Sequence, residues 1–137
     1  MIEYRRLREF PDGMLERVAG WYRAAHWIAP GEDAGFLRPA LRGSFLTAGA
    51  FDGAELVGIG RALSDGCSDA YIQDVVVAPE RRGQGIGRGL IRFLAAELRR
   101  CGVDWIALVG EPGTEGFYRK LQWEPQAGFL MWKCPGK

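Results

Sequence analysis

Apolar and polar residues along this chain of 137 residues repeat with two periods, one of two residues and one of 3.6. Alternation at period two, together with short β-branched runs, predicts six strands, at residues 2–7, 44–51, 55–63, 70–78, 104–109 and 128–134. Asp52-Gly53 lies between the second and third of these segments and is typical of a tight turn. We therefore expect the second and third strands to form a β-hairpin.

Apolar positions at helical spacing predict four helices, at residues 14–25, 36–41, 86–101 and 114–121. In the last of them Thr114 is the expected cap, and Phe117 and Leu121 share the inner face with Tyr118 beside them. The resulting order is β, α, α, β, β, β, α, β, α, β. This order predicts an α+β fold in three layers, with a mixed, mostly antiparallel central sheet flanked by helices.

The charges of the chain almost cancel, with 18 Lys and Arg against 17 Asp and Glu, so 18 − 17 leaves a net charge of +1. Such a balance provides no global field for a nucleic acid or a membrane surface, and we expect neither as a partner. The length and the 47% hydrophobic content predict one domain over residues 1–137. The N-terminus lacks the apolar run of a signal peptide, which favours a cytoplasmic protein.

The residues that ligate soft metals are few and scattered. Cys67, Cys101 and Cys134 lie far apart, and His26 is the single histidine. This set is too small for a zinc site, so we expect reduced, structural thiols and no metal.

A glycine-dense turn leads from an apolar strand directly into the long helix, in the stretch VVVAPERRGQGIGRGL at residues 75–90. The first N–H groups of a helix lack partners within the helix, and glycines let a pyrophosphate approach them closely. A dinucleotide-binding turn would need glycine where Arg88 or Leu90 stands, and a phosphate-binding loop for nucleoside triphosphates would need a lysine that is absent here. Taken alone, the turn could also be a tight strand-to-helix connection.

The hexapeptide Arg82-Gly83-Gln84-Gly85-Ile86-Gly87 fits the pattern R/Q-x-x-G-x-G/A and resembles the GCN5-related N-acetyltransferase (GNAT) superfamily, in particular a small, bacterial-type single-domain member. The strand before the turn, the long helix, the strand at 105–109 and the helix with Phe117-Tyr118 follow the same order and spacing. The second half of the chain matches closely, and the first half only in the order of elements. The resemblance implies the acyl-CoA N-acyltransferase fold with six to seven strands. It also implies acetyl-CoA as cosubstrate and direct acetyl transfer, in a ternary complex, to a primary amine of a small molecule or peptide.

The resemblance also assigns residues to the coenzyme. It places the pyrophosphate on the turn, which comprises Arg82, Gly83, Gln84, Gly85, Ile86, Gly87 and Arg88. It places the pantetheine beside the preceding strand, at Val75, Val76 and Val77. The reacting end of the coenzyme is then expected near Phe117 and Tyr118 of the last helix. Four arginines, Arg81, Arg82, Arg88 and Arg92, lie near a helix start that prefers anions. A bound phosphate would account for them.

Acetyl transfer from a thioester needs an acid near the leaving sulfur, a donor for the developing oxyanion and a base for the amine. The resemblance implies Tyr118 as the acid and the backbone near Val76 as the oxyanion donor. Asp74 is a carboxylate on an otherwise apolar strand and a candidate base through water; it could equally be a paired structural group, and Glu111 competes for the same role. His26, at a helix end, is more typical of a structural histidine.

Strict alternation along the same strand would place Ile72, Asp74 and Val76 on one side and Tyr71, Gln73, Val75 and Val77 on the other. Polyamine acetyltransferases often carry Glu-Asp at this point, and here Gln73 replaces the glutamate. This difference argues against a polyamine acceptor.

The resemblance implies that the segment after the first strand borders the acceptor pocket. The expected substrate-binding residues are Trp27 and Ile28 of that segment and Tyr71 and Gln73 of the strand before the glycine turn. Trp21 is expected in the core. An alternative is a non-catalytic acyl-CoA-binding module, which would need the glycine turn but no acid or base. Nucleic-acid binding by the arginines is disfavoured because no stacking aromatics lie among them. Members of the family are often homodimers, and the sequence reveals no interface.

Overall fold

The computed structural model describes residues 1–136. Its elements follow the predicted order, apart from the last strand. In chain order they are β1 (Ile2–Arg6), α1 (Asp12–Ala24), α2 (Leu37–Gly43), β2 (Leu46–Asp52), β3 (Glu55–Ser64), β4 (Asp69–Val77), α3 (Ile86–Arg100), β5 (Trp105–Leu108) and α4 (Glu115–Lys120), with a 3₁₀ turn at Pro79–Arg81.

Strands β1 to β5 form one sheet in the order of the chain. The first four pair antiparallel, while β4 and β5 run parallel and are connected through α3. The mixed, mostly antiparallel sheet is therefore confirmed, but residues 1–136 contain five strands rather than six to seven. The segment 128–134 forms no strand, because no neighbouring strand pairs with it and strand propensity is realised only through such packing.

Helices cover both faces of the sheet and divide the core in two. On one face α1 and α2 pack over a cluster that includes Trp21, as expected, together with Val18, Leu37 and Ile59. On the other face the long helix α3 contributes its apolar stripe, which consists of Ile86, Leu90, Ile91, Leu94 and Leu98. The stripe at helical spacing is thus the reason that α3 lies flat on the sheet.

Glycine permits the close contact between α3 and the first strand. A Cβ atom on Gly89 would lie 1.9 Å from the hydroxyl oxygen of Tyr4, far inside contact distance. Burial raises the pKa of that tyrosine. The close packing fixes the start of α3 relative to the sheet, and with it the glycine turn.

Three local predictions need correction. The hairpin loop consists of residues 53 and 54, because Asp52 already pairs with Glu55. Thr114 occupies the cap position of α4, but its hydroxyl donates to the carbonyl oxygen of Glu111 at 2.5 Å and not to the helix. The three cysteines are free, and all of them lie exposed at the surface rather than within the structure.

Two kinds of feature are absent from residues 1–136. No helix in this range is long and apolar enough to cross a membrane. Within the same range no group of three or more His, Cys, Asp and Glu side chains could hold a metal ion.

Candidate active site

The glycine turn forms an open cradle in front of α3. Gly83 and Gly85 have φ of 77° and 81°, in the left-handed region that favours glycine. A Cβ atom at either position would meet no other atom within 4 Å, so the space beside the backbone is open. Helix α3 begins at Ile86, and its first N–H groups therefore point into that space. The turn has the shape and polarity of an anion site.

Not all of the arginines near this cradle are available to bind an anion in it. Arg81 donates to Asp52 at 2.6 Å and lies 3.9 Å from Glu55, and its hydrogen bond lowers the pKa of Asp52. Counting Arg81 with the phosphate-binding charges is therefore wrong, because it fastens the β2–β3 hairpin to the turn. Within residues 1–136, Arg82, Arg88 and Arg92 form no ion pair and keep their charge available.

The sheet opens between β4 and β5. Pairing of the two strands runs from Asp69 with Trp105 to Ile72 with Leu108 and ends there. Strand β4 continues to Val77, and its residues 73–77 pair only with β3. One edge of this stretch, which includes Val75, Val76 and Val77, is thus left unpaired among the described residues. A ligand chain can form hydrogen bonds with such an edge.

A bulge in β4 accompanies this opening. Asp74 has φ of 54°, and the register of β3 against β4 shifts beside it, between Ile59 and Arg61. The strict alternation predicted for this strand is therefore wrong: Ile72 packs under α3, whereas Val76 packs on the α1 side. An extra residue in a strand reverses the faces of the residues that follow it.

Asp74 is held by two partners. Its Oδ2 accepts a hydrogen bond from Arg61 Nε at 2.9 Å and another from the Tyr22 hydroxyl at 3.2 Å. The Arg61 and Asp74 side chains are only 16% and 29% exposed. Burial and the charge of Asp74 raise the pKa of Tyr22. This environment matches the alternative of a paired structural carboxylate.

Tyr118 lies at the opening, close to the end of β5. A Cβ atom on Gly110 would be 3.3 Å from its ring, so glycine allows the close approach. Leu121 packs against the core as predicted, and so does Tyr118, whereas Phe117, expected on the inner face, is 39% exposed. A Cβ atom on Gly87 would be 3.8 Å from the Phe117 ring, which places that ring beside the start of α3. Helix α4 thus presents Phe117 to the glycine turn and Tyr118 to the open sheet.

Tyr118 is partly buried, and its hydroxyl forms no hydrogen bond with any of residues 1–136. Burial, reinforced by the charge of Glu111, raises its pKa. The phenol is therefore protonated at neutral pH and has a proton to donate.

Glu111 connects the end of β5 with the segment after α1. Its Oε1 accepts a hydrogen bond from Trp27 Nε1 at 2.6 Å, and the Trp27 ring packs edge-on against Tyr22 at 5.0 Å between centroids. Ile28 is 5% exposed and packs in the core beneath Trp27. Tyr71 and Gln73, by contrast, are exposed on β4. The structure thus brings Trp27 and Glu111 together, whereas Ile28 lies in the core and Tyr71 and Gln73 form no hydrogen bond or ring contact with either of them.

A family comparison identifies the class of protein that has this arrangement. The family model described as "Acetyltransferase (GNAT) family" matches residues 4–123. The chain belongs to the GNAT acetyltransferase family. The fold of family members agrees: a GNAT family acetyltransferase, SP0256 from Streptococcus pneumoniae, superimposes with a TM-score of 0.77 at 27% identity, over 99% of this chain and 100% of that one.

Two further acetyltransferases match only part of the chain. Serotonin N-acetyltransferase 2, chloroplastic, from Oryza sativa is 48% identical over 75 residues, which are 55% of this chain and 34% of the rice protein. The chain thus spans about a third of that relative's length. An aminoglycoside 6'-N-acetyltransferase complexed with coenzyme A gives a TM-score of 0.67 at 22% identity, over 77% of this chain and 60% of that one, and shares the fold.

The sequence patterns did not single out three residues of this GNAT site. Arg61 is a charged residue within the apolar strand β3, and a charge in that position signals a paired partner. Tyr22 is a buried tyrosine whose hydroxyl needs an acceptor. Gly110 follows a strand, and only its contact with the Tyr118 ring reveals why it is glycine.

Proposed function

We propose that this chain transfers an acetyl group from acetyl-CoA to a primary amine of a small molecule, by direct transfer in a ternary complex. One observation carries the proposal: a protonated phenol, Tyr118, and a nearby carboxylate, Glu111, both follow β5 where the sheet opens, and an open glycine cradle precedes α3. Family membership supports the acetyl transfer. The donor and the acceptor class are inferences from the site.

The residues of the turn fit coenzyme A. The open space at Gly83 and Gly85 admits a pyrophosphate, and the N–H groups at the start of α3 would donate to it. Arg82 and Arg88 supply positive charge without a competing carboxylate among residues 1–136. The free edge of β4 at residues 75–77 offers backbone donors and acceptors for the amides of the pantetheine.

Bound there, acetyl-CoA supplies an electrophilic thioester carbonyl. Glu111 accepts a proton from the attacking amine, directly or through water, as the new C–N bond forms. The backbone N–H groups near Val76 stabilise the negative charge on the carbonyl oxygen. Tyr118 donates its proton to sulfur as the C–S bond breaks. Of the two candidate bases we assign the role to Glu111, because Arg61 and Tyr22 already occupy Asp74.

The acceptor side suits an amine with an aromatic or apolar portion. We assign to it the ring of Trp27, which donates to Glu111, and the exposed ring of Tyr71, and the Glu111 carboxylate can attract an ammonium group. The name of the rice relative supports an arylalkylamine as the first acceptor to test. The carboxylates of Glu32 and Asp33 accept hydrogen bonds from Ala29 and Gly35 of their own loop, so we give them no role in the acceptor site.

The test is release of coenzyme A thiol from acetyl-CoA in the presence of a panel of amines. The panel contains serotonin, a polyamine, an aminoglycoside and a lysine peptide. We expect thiol release above the hydrolysis background with serotonin and the least with the polyamine, because Gln73 replaces the acidic residue. Mass spectrometry of the product should show one added acetyl group.

A parallel measurement separates the two readings of the coenzyme site. Isothermal titration with coenzyme A establishes whether the cradle binds its ligand. If coenzyme A binds but no amine causes thiol release, the chain is a non-catalytic acyl-CoA-binding module and not an enzyme. Absence of binding would contradict the donor site itself.

A further inference from the structure

A pocket at the end of β1 is lined by three arginines. Arg6, Arg8 and Arg42 border a space of about 190 Å³ between the end of β1, the end of α2 and the start of β2. Buried side chains such as Phe10 and Leu41 contribute to its walls. Among residues 1–136 no acidic side chain lines this space. We call it the arginine pocket.

The charge of these arginines is not balanced by neighbouring carboxylates. Arg8 and Arg42 form no hydrogen bond or ion pair with any of residues 1–136. Glu9 is exposed and does not line the pocket, and Asp12 is paired with Arg38. Like charges around one space repel each other unless an anion lies between them. As at the glycine turn, a group of unpaired arginines beside an open space indicates an anion site.

Hydrogen bonds hold the pocket in shape. Arg6 Nη2 donates a hydrogen bond to the carbonyl oxygen of Phe45 at 2.9 Å, and its guanidinium lies 6.0 Å from the centre of the Phe45 ring. The hydroxyls of Ser44 and Thr47 donate to carbonyl oxygens of α2 at 2.8 and 3.1 Å, respectively. One arginine and the connection between α2 and β2 are therefore positioned in advance, which lowers the entropic cost of binding a ligand.

Size and charge together indicate the class of ligand. A space of about 190 Å³ is roughly that of six water molecules in the liquid, so it admits a phosphate group but not a whole nucleotide. Three guanidinium groups carry more positive charge than one carboxylate can neutralise, whereas a phosphate group carries up to two negative charges. The planar forks of arginine also match the oxygens of a phosphate, each through paired N–H donors.

We propose that the arginine pocket binds a dianionic phosphate group, which belongs either to inorganic phosphate or to a small phosphomonoester. This site is separate from the glycine turn. The turn follows Val77, which is aligned across the sheet with Gly58 and Ala50, whereas the pocket lies at the start of β2, beside Thr47. The two sites thus lie towards opposite ends of the strands, and the arginine pocket does not depend on the proposed acetyl transfer.

The first experiment is a titration of the full chain with inorganic phosphate, in which NMR follows the backbone amide signals. Ionic strength is kept constant, so that a general screening effect is excluded. The amides of residues 6–8 and 42–47 are expected to shift together and to saturate, while those of residues 83–88 report separately on the glycine turn. If the amides of the arginine pocket do not shift, or shift without saturation, the proposal is wrong.

The double variant Arg8→Gln/Arg42→Gln tests the pocket itself. Its dissociation constant for phosphate is expected to rise about ten-fold, because two charge-assisted donors are lost. Both side chains are exposed and unpartnered within residues 1–136, so Tm should not fall. Arg99→Gln/Arg100→Gln removes the same two charges at the exposed end of α3, and this matched control should bind phosphate like the wild type. Unchanged affinity in the first variant, or equal losses in both variants, would overturn the proposal.

Two further ligands test the class of the anion and its source. Acetate carries one negative charge and is expected to bind about ten-fold more weakly than phosphate at the same amides. Equal affinities for acetate and phosphate would contradict a site for a dianion. Glycerol phosphate distinguishes the two sources of the phosphate group. If it binds more tightly than inorganic phosphate, the ligand is a phosphomonoester, and if it binds more weakly, the ligand is free phosphate.

Discussion

The proposed donor side and the proposed acceptor side of this site are built from different atoms. The cradle before α3 consists mainly of backbone, opened by two glycines at positive φ and followed by a helix start. The acceptor side consists of side chains from α1 and β4 and from the segments that follow α1 and β5. The hydrogen bonds Trp27–Glu111 and Tyr22–Asp74 hold these side chains together. A backbone site recognises a constant ligand, whereas a side-chain site can change its ligand by substitution.

The contrast explains why the donor is easier to infer than the acceptor. Phosphate recognition by a helix start depends on a local sequence pattern, and the fold family shares it. Acceptor recognition depends on which side chains the tertiary structure brings to the opening. If the two sides are independent, substitutions at Tyr118 and Glu111 should change turnover, whereas substitutions in the cradle should change coenzyme A affinity.

The largest expected effect is the loss of turnover when the proposed general acid, Tyr118, is removed. Tyr118→Phe retains the ring that packs beside Gly110 and Trp123 but removes the proton donor. We expect kcat to fall by about 1,000-fold with little change in coenzyme A affinity, in line with the loss of a general acid. Stopped-flow thiol release measures the first quantity and titration calorimetry the second. Unaltered turnover in a folded variant would remove Tyr118 from the mechanism.

Tyr118 should also determine the pH above which kcat declines. The neutral phenol is the acid and exists below its pKa, which burial raises above the usual value of 10.0. Raising the pKa moves the loss of the acid toward higher pH, so deprotonation of Tyr118 should reduce kcat only above pH 10. A wild-type profile whose alkaline decline lies well below pH 10 must come from another group; if Tyr118→Phe abolishes such a decline, the assigned pKa direction is wrong.

A second, smaller effect should distinguish the two carboxylates. Glu111→Gln keeps an oxygen that can accept from Trp27 Nε1 but cannot take a proton, and we expect kcat/KM at pH 7 to fall by about 100-fold. The deficit should narrow at high pH, where the free amine is already neutral. A deficit that is constant with pH would indicate that Glu111 only positions Trp27.

Asp74→Asn is the matched variant for this comparison. It leaves the Arg61 guanidinium without its counter-charge in a part-buried position, so the free energy of unfolding should fall by about 1–3 kcal/mol. Its turnover per folded molecule should change far less than that of Glu111→Gln. Urea unfolding and kcat/KM, measured on the same samples, separate the two roles, and the reverse ranking would identify Asp74 as the base.

The features that were predicted correctly depend on local rules, and those that were missed depend on contacts. The stripe of α3 and the glycine turn follow from periodicity and from positive φ. The bulge at Asp74 could not be predicted, since it involves Arg61 and Tyr22, which are distant in sequence. The exposed face of α4 was misassigned because neighbours such as Gly110, rather than the helical period, determine which side is buried.

A third effect concerns the cradle. Gly85→Ala forces a side chain into the left-handed region, which costs about 1–2 kcal/mol, and places a methyl group in the open space before α3. We expect coenzyme A affinity to fall about ten-fold. Gly113→Ala is the matched control, because it has φ of 90° and equally open surroundings away from the turn. Equal losses of affinity in both variants would mean that the effect is general destabilisation.

The smallest expected effect separates two adjacent arginines. Arg82→Ala should weaken coenzyme A binding by roughly two- to five-fold, the range of an exposed charge pair, and should flatten its salt dependence. Arg81→Ala should leave the affinity unchanged and lower Tm instead, because Arg81 binds Asp52. Calorimetric titration at two salt concentrations and thermal unfolding measure both variants. If Arg81→Ala weakened binding more than Arg82→Ala, the hairpin contact itself would be shaping the cradle, and the donor side would depend on tertiary contacts as the acceptor side does.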